Sequence, residues 1–180
     1  YIIKKHIKKS KISGISVGLI NEEGIKTFNY GEVKKESGIT PTSDTIYEIG
    51  SMTKTFTAIL TVKLQNEGLL SLDKPIINYL PDFSESDFDK NKITLRHLIT
   101  HTSGLVEIPK RDYPKNIIKL VFRTGKGKFF PPRYSLETSD FLKEVSQLKL
   151  QDNPGTKFRY SNTGVGLAGK ILERITNLSY

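Results

Sequence analysis

The chain has 180 residues, with 28 Lys plus Arg against 19 Asp plus Glu, three His, and neither Cys nor Trp. That length corresponds to one domain or to part of a larger one. The cysteine count excludes a disulfide scaffold, a Cys-based zinc site and a Cys nucleophile. No apolar run approaches the ~18 residues of a membrane-crossing helix. Apolar residues recur in patterned blocks, which excludes disorder along the whole chain.

The net charge of +9 raises the question of nucleic acid. Its densest part is Lys4, Lys5, Lys8, Lys9 and Lys11. Ile3 and Ile7 lie one helical turn apart among these lysines, the pattern of an N-terminal helix with a solvated basic face. The remaining basic residues are interleaved with acids, as in Lys143-Glu144 and Glu173-Arg174. The 22 Lys and 20 Ile are a bias that AT-rich coding also produces. Nucleic acid is therefore not an expected partner. The chain opens on Tyr1 without a signal-peptide pattern. It closes on Leu178-Ser179-Tyr180 directly after a helical pattern. The expectation is that both ends are cut and that this is the N-terminal part of a longer protein.

Lys11 to Ile20 alternates β-branched residues, Asn21 to Gly24 is a turn signal, and Ile25 to Tyr30 resumes the extended pattern before Gly31. Together they predict a β-hairpin. Thr40 to Asp44 reads as loop, and Thr45 to Ile49 as a short extended segment ending at Gly50. A helix follows, with Met52, Phe56, Ile59, Leu60 and Leu64 forming one apolar stripe and Gly68 ending it. Ser71 to Pro81 is loop with a helical turn around Ile76 to Tyr79. Phe83 to Asn91 is polar and acidic. Thr94 caps a helix through Leu95, Leu98 and Ile99 that stops near Gly104. Lys115 to Arg123 and Ser139 to Leu150 are further helical patterns, with a basic loop from Gly125 to Pro132 between them. Asp152 to Gly155 is a turn. Thr163 to Asn177 is a last helix, with Leu167, Ile171, Leu172 and Ile175 on one face. A hairpin followed by a run of helices is an α+β order. Two strands make a marginal sheet, so further strands are expected beyond this chain.

Ser51-Met52-Thr53-Lys54 is an S-x-x-K tetrapeptide. With 15 Ser and 22 Lys about two such matches arise by chance, and there are three. Pro75 places Ser71/Lys74 in a loop, and Ser146/Lys149 sits late in a helix. Only Ser51 follows an extended segment and opens an apolar-striped helix. There Lys54 is within reach of the Ser51 hydroxyl, because residues i and i+3 share a helix face. The first-turn N–H groups and the helix dipole favour negative charge at that end. A serine becomes a nucleophile when a neighbouring base takes its proton. The competing reading of Ser51 is a plain helix cap. About 110 residues later comes Tyr160-Ser161-Asn162. Here the choice lies between Ser161 or Asn162 as a cap and Tyr160 as a phenolic acid/base beside a substrate-holding Asn162 amide.

Three ordered stretches, Ser51 to Lys54, Leu98-Ile99-Thr100-His101-Thr102-Ser103-Gly104-Leu105 and Tyr160 to Asn162, resemble the serine β-lactamase-related family. That family comprises class C β-lactamases, penicillin-binding proteins of low mass, D-aminopeptidases and related esterases. The resemblance extends over roughly residues 11–180, including the hairpin from Gly14 to Gly31 and the loop from Leu69 to Pro81. It implies an α+β fold of the β-lactamase/transpeptidase type, with the C-terminal sheet strands absent from this chain. Residues 1–180 are then a single incomplete domain: 1–50 with the N-terminal helix and strands, 51–162 with S-x-x-K and Y-x-N, and 163–180 with the following helix. It implies a serine hydrolase that works through an acyl-enzyme on an amide, β-lactam or ester carbonyl. By resemblance Ser51 is acylated, Lys54 and Tyr160 exchange its proton, Asn162 binds the substrate amide, and the Ser51 backbone N–H is one oxyanion donor. The expected partners are a small-molecule or peptide substrate and a second chain or C-terminal part that completes the sheet. No metal and no organic cofactor are implied. Localisation outside the cytoplasm rests on the family analogy. The family's third motif, Lys or His, then Thr or Ser, then Gly, does not follow Tyr160 within these residues. Hence the rival expectation, a non-catalytic fragment or relative that binds peptidoglycan-like ligands.

Two other patterns are weaker. Gly164-Val165-Gly166-Leu167-Ala168-Gly169 has the glycine spacing of a dinucleotide loop but no parallel strand before it, so close helix packing is the expectation. His97 and His101 are i, i+4 and could ligate zinc. Without a Glu after His97, a hydrogen bond from His101 at the helix end is the expectation instead.

Overall fold

A computed structural model describes residues 12–84, 86–107 and 138–180, together with Ile3 and Ile7. The helical pattern of Lys115 to Arg123 and the basic loop of Gly125 to Pro132 lie outside the described residues. The chain divides into two compact units, 1–48 with 116–131, and 49–115 with 132–180.

In the first unit, β1 (Gly14–Asn21) pairs antiparallel with β2 (Gly24–Gly31) in a register from Gly14↔Gly31 to Asn21↔Gly24. Gly24 takes φ +109°, a value that favours glycine, and the Asn21 side chain accepts the Glu23 N–H at 3.1 Å. The hairpin therefore follows its sequence signal. Val17, Leu19, Ile20, Ile25 and Phe28 are all exposed. The expected extended segment Thr45 to Ile49 does not form a strand. Its backbone bonds are local, from the Thr45 N–H to the Thr42 carbonyl at 3.2 Å and from the Met52 N–H to the Ile49 carbonyl at 3.3 Å, and its Tyr47 hydroxyl hydrogen-bonds Ser16 at 2.9 Å. A lone β-propensity run without a ladder partner stays irregular.

The second unit is helical. A 3₁₀ turn at Gly50–Met52 leads into α1 (Thr53–Asn66). Two further 3₁₀ turns, Ile76–Asn78 and Pro81–Phe83, precede α2 (Asp87–Lys90), α3 (Leu95–Ile99), α4 (Thr138–Ser146) and α5 (Asn162–Thr176). The core gathers Phe83, Phe88, Ile93, Leu95 and Leu98 with Leu167, Ile171 and Leu172 of α5. The polar-looking stretch from Phe83 to Asn91 thus supplies two fully buried aromatic rings, edge to face at 5.1 Å. Thr94 caps α3 as expected and forms a capping box with His97. Asn177 closes α5 with φ +54°, and Gly68 follows α1 with φ +74°. The helix expected over Ser139 to Leu150 stops at Ser146, whose hydroxyl bonds the Lys143 carbonyl.

Only part of the apolar stripe of α1 is buried: Leu64 is in the core and Leu60 packs against it. Met52, Phe56 and Ile59 are 63%, 62% and 60% exposed. The buried residues are Thr57, Thr61 and Leu64, on the flank that meets α3 and α5. The Thr61 hydroxyl donates to the Thr57 carbonyl at 2.7 Å, so its polar atom is satisfied inside the contact. A small side chain with a satisfied hydroxyl lets the helices approach where a Phe would hold them apart. Periodicity located the stripe, but it carries no information about which neighbour lies within this chain. No helix among the described residues is long and apolar enough to cross a membrane.

Candidate active site

Gly50 has φ +55°, a left-handed conformation that favours glycine, and open space around it. This turn aims Ser51 out of the start of α1. Ser51 is not a side-chain cap: neither the 3₁₀ turn nor α1 has a capping side-chain bond. Its Oγ instead accepts the Lys54 Nζ donor at 3.3 Å and the Tyr160 hydroxyl at 2.6 Å. Two residues 109 positions apart in sequence thus meet in a short hydrogen bond at the end of α1.

The Tyr160-Ser161-Asn162 turn is held by its middle residue. Ser161 is fully buried and caps α5, its Oγ accepting the Gly164 N–H at 2.9 Å and donating to the Val106 carbonyl at 2.7 Å. The Asn162 and Thr163 N–H groups both donate to the Glu107 carbonyl, at 2.9 and 3.1 Å. The cap reading is therefore right for Ser161, with Tyr160, bonded to Ser51, on one side of it and Asn162, which lines a cleft, on the other. Asn162 lines a cleft of about 320 Å³ with Lys54, Thr57, Lys170 and Glu173.

The loop after α3 fixes the same turn from below. Backbone bonds link the Gln151 N–H to the Gly104 carbonyl at 2.8 Å, the Gly155 N–H to Thr102 at 2.8 Å and the Arg159 N–H to His101 at 2.7 Å. Gly104 has φ +75°, and a Cβ there would lie 2.0 Å from the Asp152 carbonyl oxygen. Only glycine permits that approach. Arg159 Nε and Asp152 Oδ2 pair at 2.8 Å, which holds the Asp152 carboxyl below the usual carboxylate range.

Electrostatics converge on Tyr160. The Lys54 ammonium, 5.1 Å from the ring centre, and the hydrogen bond to Ser51 hold its phenol below the ordinary value, while Glu107 opposes them. His101 lies against the Tyr160 ring, and burial and then Lys54 keep its imidazole below the usual histidine range.

The two-histidine pattern resolves into hydrogen bonding. His97 Nδ1 accepts the Thr94 N–H at 3.3 Å, and His101 Nδ1 accepts the Ser161 N–H at 3.2 Å. No cluster of three His, Asp or Glu positioned for a metal ion occurs among the described residues. The glycine series lies inside α5. A Cβ on Gly164 would press on Ser161 Oγ at 3.4 Å and one on Gly166 on the Phe141 ring at 3.3 Å, which is the close packing expected of it. Ser71/Lys74 and Ser146/Lys149 form no comparable pair, since Lys149 instead salt-bridges Asp87. The position of His101 on Tyr160 is the feature that spacing alone missed. Its one signal in the sequence was the Leu98 to Leu105 stretch.

The β-lactamase family model matches residues 2–180, and the chain belongs to that family. It is 33% identical over 180 residues to a β-lactamase of Providencia stuartii, covering 99% of this chain and 40% of that protein. It is 30% identical to protein flp of Staphylococcus aureus strain COL, covering 99% of this chain and 33% of that protein. Among solved structures, a β-lactamase/D-alanine carboxypeptidase from Pseudomonas syringae superposes with a TM-score of 0.76 at 28% identity, over 98% of this chain and 43% of that one. A class C β-lactamase superposes with the same TM-score at 30% identity, over 99% and 43%. The fold is therefore that of β-lactamases and transpeptidases. The chain spans about 40% of the length of the relatives it matches.

Proposed function

We propose that this chain carries the acylation apparatus of a serine hydrolase acting on an amide, β-lactam or ester carbonyl. The observation that carries the reading is Ser51 Oγ, bonded at once by Lys54 from its own helix and by Tyr160 from a remote turn. In the reaction, Ser51 Oγ attacks the carbonyl carbon and its proton passes to the Lys54–Tyr160 pair. The carbonyl oxygen becomes an oxyanion, and the Ser51 backbone N–H at the start of the helix stabilises it. The same pair returns the proton to the departing amine, alcohol or ring nitrogen as the bond breaks. An ester of Ser51 remains, and water activated by that pair then hydrolyses it. Asn162, across the cleft from Lys54, presents its amide to the substrate amide. The lowered Tyr160 phenol eases its ionisation, as suits a group that takes the Ser51 proton. By analogy with its family the protein works outside the cytoplasm.

The test is covalent labelling of the 180-residue chain and, in parallel, of the reading frame that contains it. A fluorophosphonate or penicillin probe followed by peptide mapping is expected to place one adduct on Ser51. An adduct on Ser71 or Ser146 with Ser51 unmodified removes the reading. A second reading is a relative that binds peptidoglycan-like ligands without turnover. That reading expects reversible binding of such a ligand and no adduct.

A further inference from the structure

His101 sits where a residue other than glycine is uncommon. Its φ is +59°, in the left-handed region, one residue beyond the end cap of α3. Outside glycine, that conformation is adopted most readily by Asn, Asp and His. Three bonds define its place. Its N–H reaches the Leu98 carbonyl at 3.4 Å, its carbonyl accepts the Arg159 N–H at 2.7 Å, and its Nδ1 accepts the Ser161 N–H at 3.2 Å. The ring then lies over Tyr160 with centroids 4.6 Å apart and planes inclined by 35°, while Phe158 meets it edge-on at 5.7 Å. Tyr160 is itself 36% exposed. Its hydroxyl is bonded to Ser51 Oγ, and the His101 ring covers one side of its partly exposed ring.

We infer that His101 is the positioning residue of the site: its neutral imidazole, anchored on the Ser161 N–H, is the wall that holds the Tyr160 hydroxyl on Ser51 Oγ. The inference rests on the serine-hydrolase reading above and adds to it a residue that does not touch the reacting atoms. Nδ1 must be unprotonated to accept a backbone N–H, so the hydrogen of the neutral ring is on Nε2. Protonation puts a hydrogen on Nδ1 facing another donor, and the anchor is lost. The charged group that faces the imidazole from α1 is Lys54, and the titratable one from the turn before α5 is Tyr160. Phe158 carries no charge, and the Arg159 guanidinium is paired with Asp152. On its own segment, His97 spends Nδ1 on Thr94. Burial and Lys54 both disfavour the imidazolium, so the anchor persists at neutral pH and fails as the pH falls below the ordinary histidine range.

Two variants separate the parts. His101→Asn keeps a residue suited to positive φ and an acceptor for Ser161, but removes the ring. His101→Phe keeps a ring and removes the acceptor. Each is made in the 180-residue chain and in the reading frame that contains it, with folding checked by circular dichroism. The Tyr160 phenol is titrated by NMR of ¹³Cζ-labelled tyrosine, assigned with Tyr160→Phe. The rate of fluorophosphonate labelling at Ser51 is followed from pH 5 to 9. The expected result for His101→Asn is native circular dichroism, a Tyr160 phenol moved up towards the ordinary value, and labelling slowed on the order of 10–100-fold, the cost of misplacing a reacting group by about 1 Å. The inflection that His101 protonation gives the wild-type profile, below the ordinary histidine range, is expected to vanish in both variants, leaving only the rise through Tyr160 ionisation. A folded His101→Asn with an unmoved Tyr160 titration and an unchanged pH profile overturns the inference, even if its stability has fallen. If wild-type Ser51 takes no label, the hydrolase reading fails by itself, and the Tyr160 titration still decides whether His101 positions the phenol.

Discussion

Replacing Ser161 by Ala is expected to destabilise the helical unit and to loosen the site together. Ser161 is fully buried and its Oγ makes two hydrogen bonds, from the Gly164 N–H and to the Val106 carbonyl. Losing an N-cap hydroxyl costs about 1 kcal/mol, within a range of roughly 0.5–2. Leaving the half-buried Val106 carbonyl without its donor costs about 1 kcal/mol, the low end for an unpaired polar group. Together these come to roughly 2 kcal/mol. For a domain of this size that is a fall in Tm on the order of 5 °C. Urea unfolding followed by far-ultraviolet circular dichroism, with the slope m compared between variants, measures it. Ser161→Thr, which keeps a capping hydroxyl, is expected to recover part of the loss. A change below about 0.5 kcal/mol for the Ala variant, at unchanged m, would falsify the idea that this hydroxyl ties α5 to the loop after α3.

Tyr160→Phe fills the same volume and removes only the phenol, so Ser51 labelling by a penicillin probe should slow on the order of 10²–10⁴-fold while circular dichroism stays native; wild-type rates would take Tyr160 out of the chemistry. If the phenolate is the base, labelling rises with pH through a Tyr160 pKa lying below the ordinary phenol value of ~10, because Lys54 and the Ser51 bond favour the ionised form. A profile that rises only beyond pH ~10 would contradict that. The outward face of α1 predicts self-association of the 180-residue chain. Light scattering of Phe56→Lys with Ile59→Lys should show smaller particles at unchanged helicity, and a monodisperse wild-type monomer would contradict the reading.

The hairpin, α1, the Thr94 cap and the last helix were legible because each carries local signals: alternation, a 3.6-residue stripe, capping side chains and a terminal Gly or Asn. The S-x-x-K pair was legible for the same reason, since three residues on a helix fix a geometry. What sequence left open depended on neighbours. Met52, Phe56 and Ile59 of the α1 stripe read as core and are exposed, while Thr57 and Thr61 are buried. Phe83 and Phe88 read as part of a polar stretch and are buried. Tyr160 could be joined to Ser51 only by a family resemblance, because no periodicity reaches across 109 residues. His101 looked like a helix-end hydrogen bonder, and it is one. Its stacking on Tyr160 needed the left-handed turn, which is a property of backbone dihedrals rather than of composition.

The backbone bonds from 101–104 to 151–159 have a practical meaning for engineering. They run between main-chain atoms, so the side chains at Thr102, Asn153, Lys157 and Phe158 are not part of the ladder that sets the turn before Tyr160. Lys157 and Phe158 are exposed, and Phe158 lies beside the site. A combinatorial library at Thr102, Asn153 and Lys157 can vary the surface of these loops while the main-chain bonds stay, whereas Phe158, which meets His101 edge-on, is kept. Gly104 is the position to leave untouched, because there any side chain meets the Asp152 carbonyl.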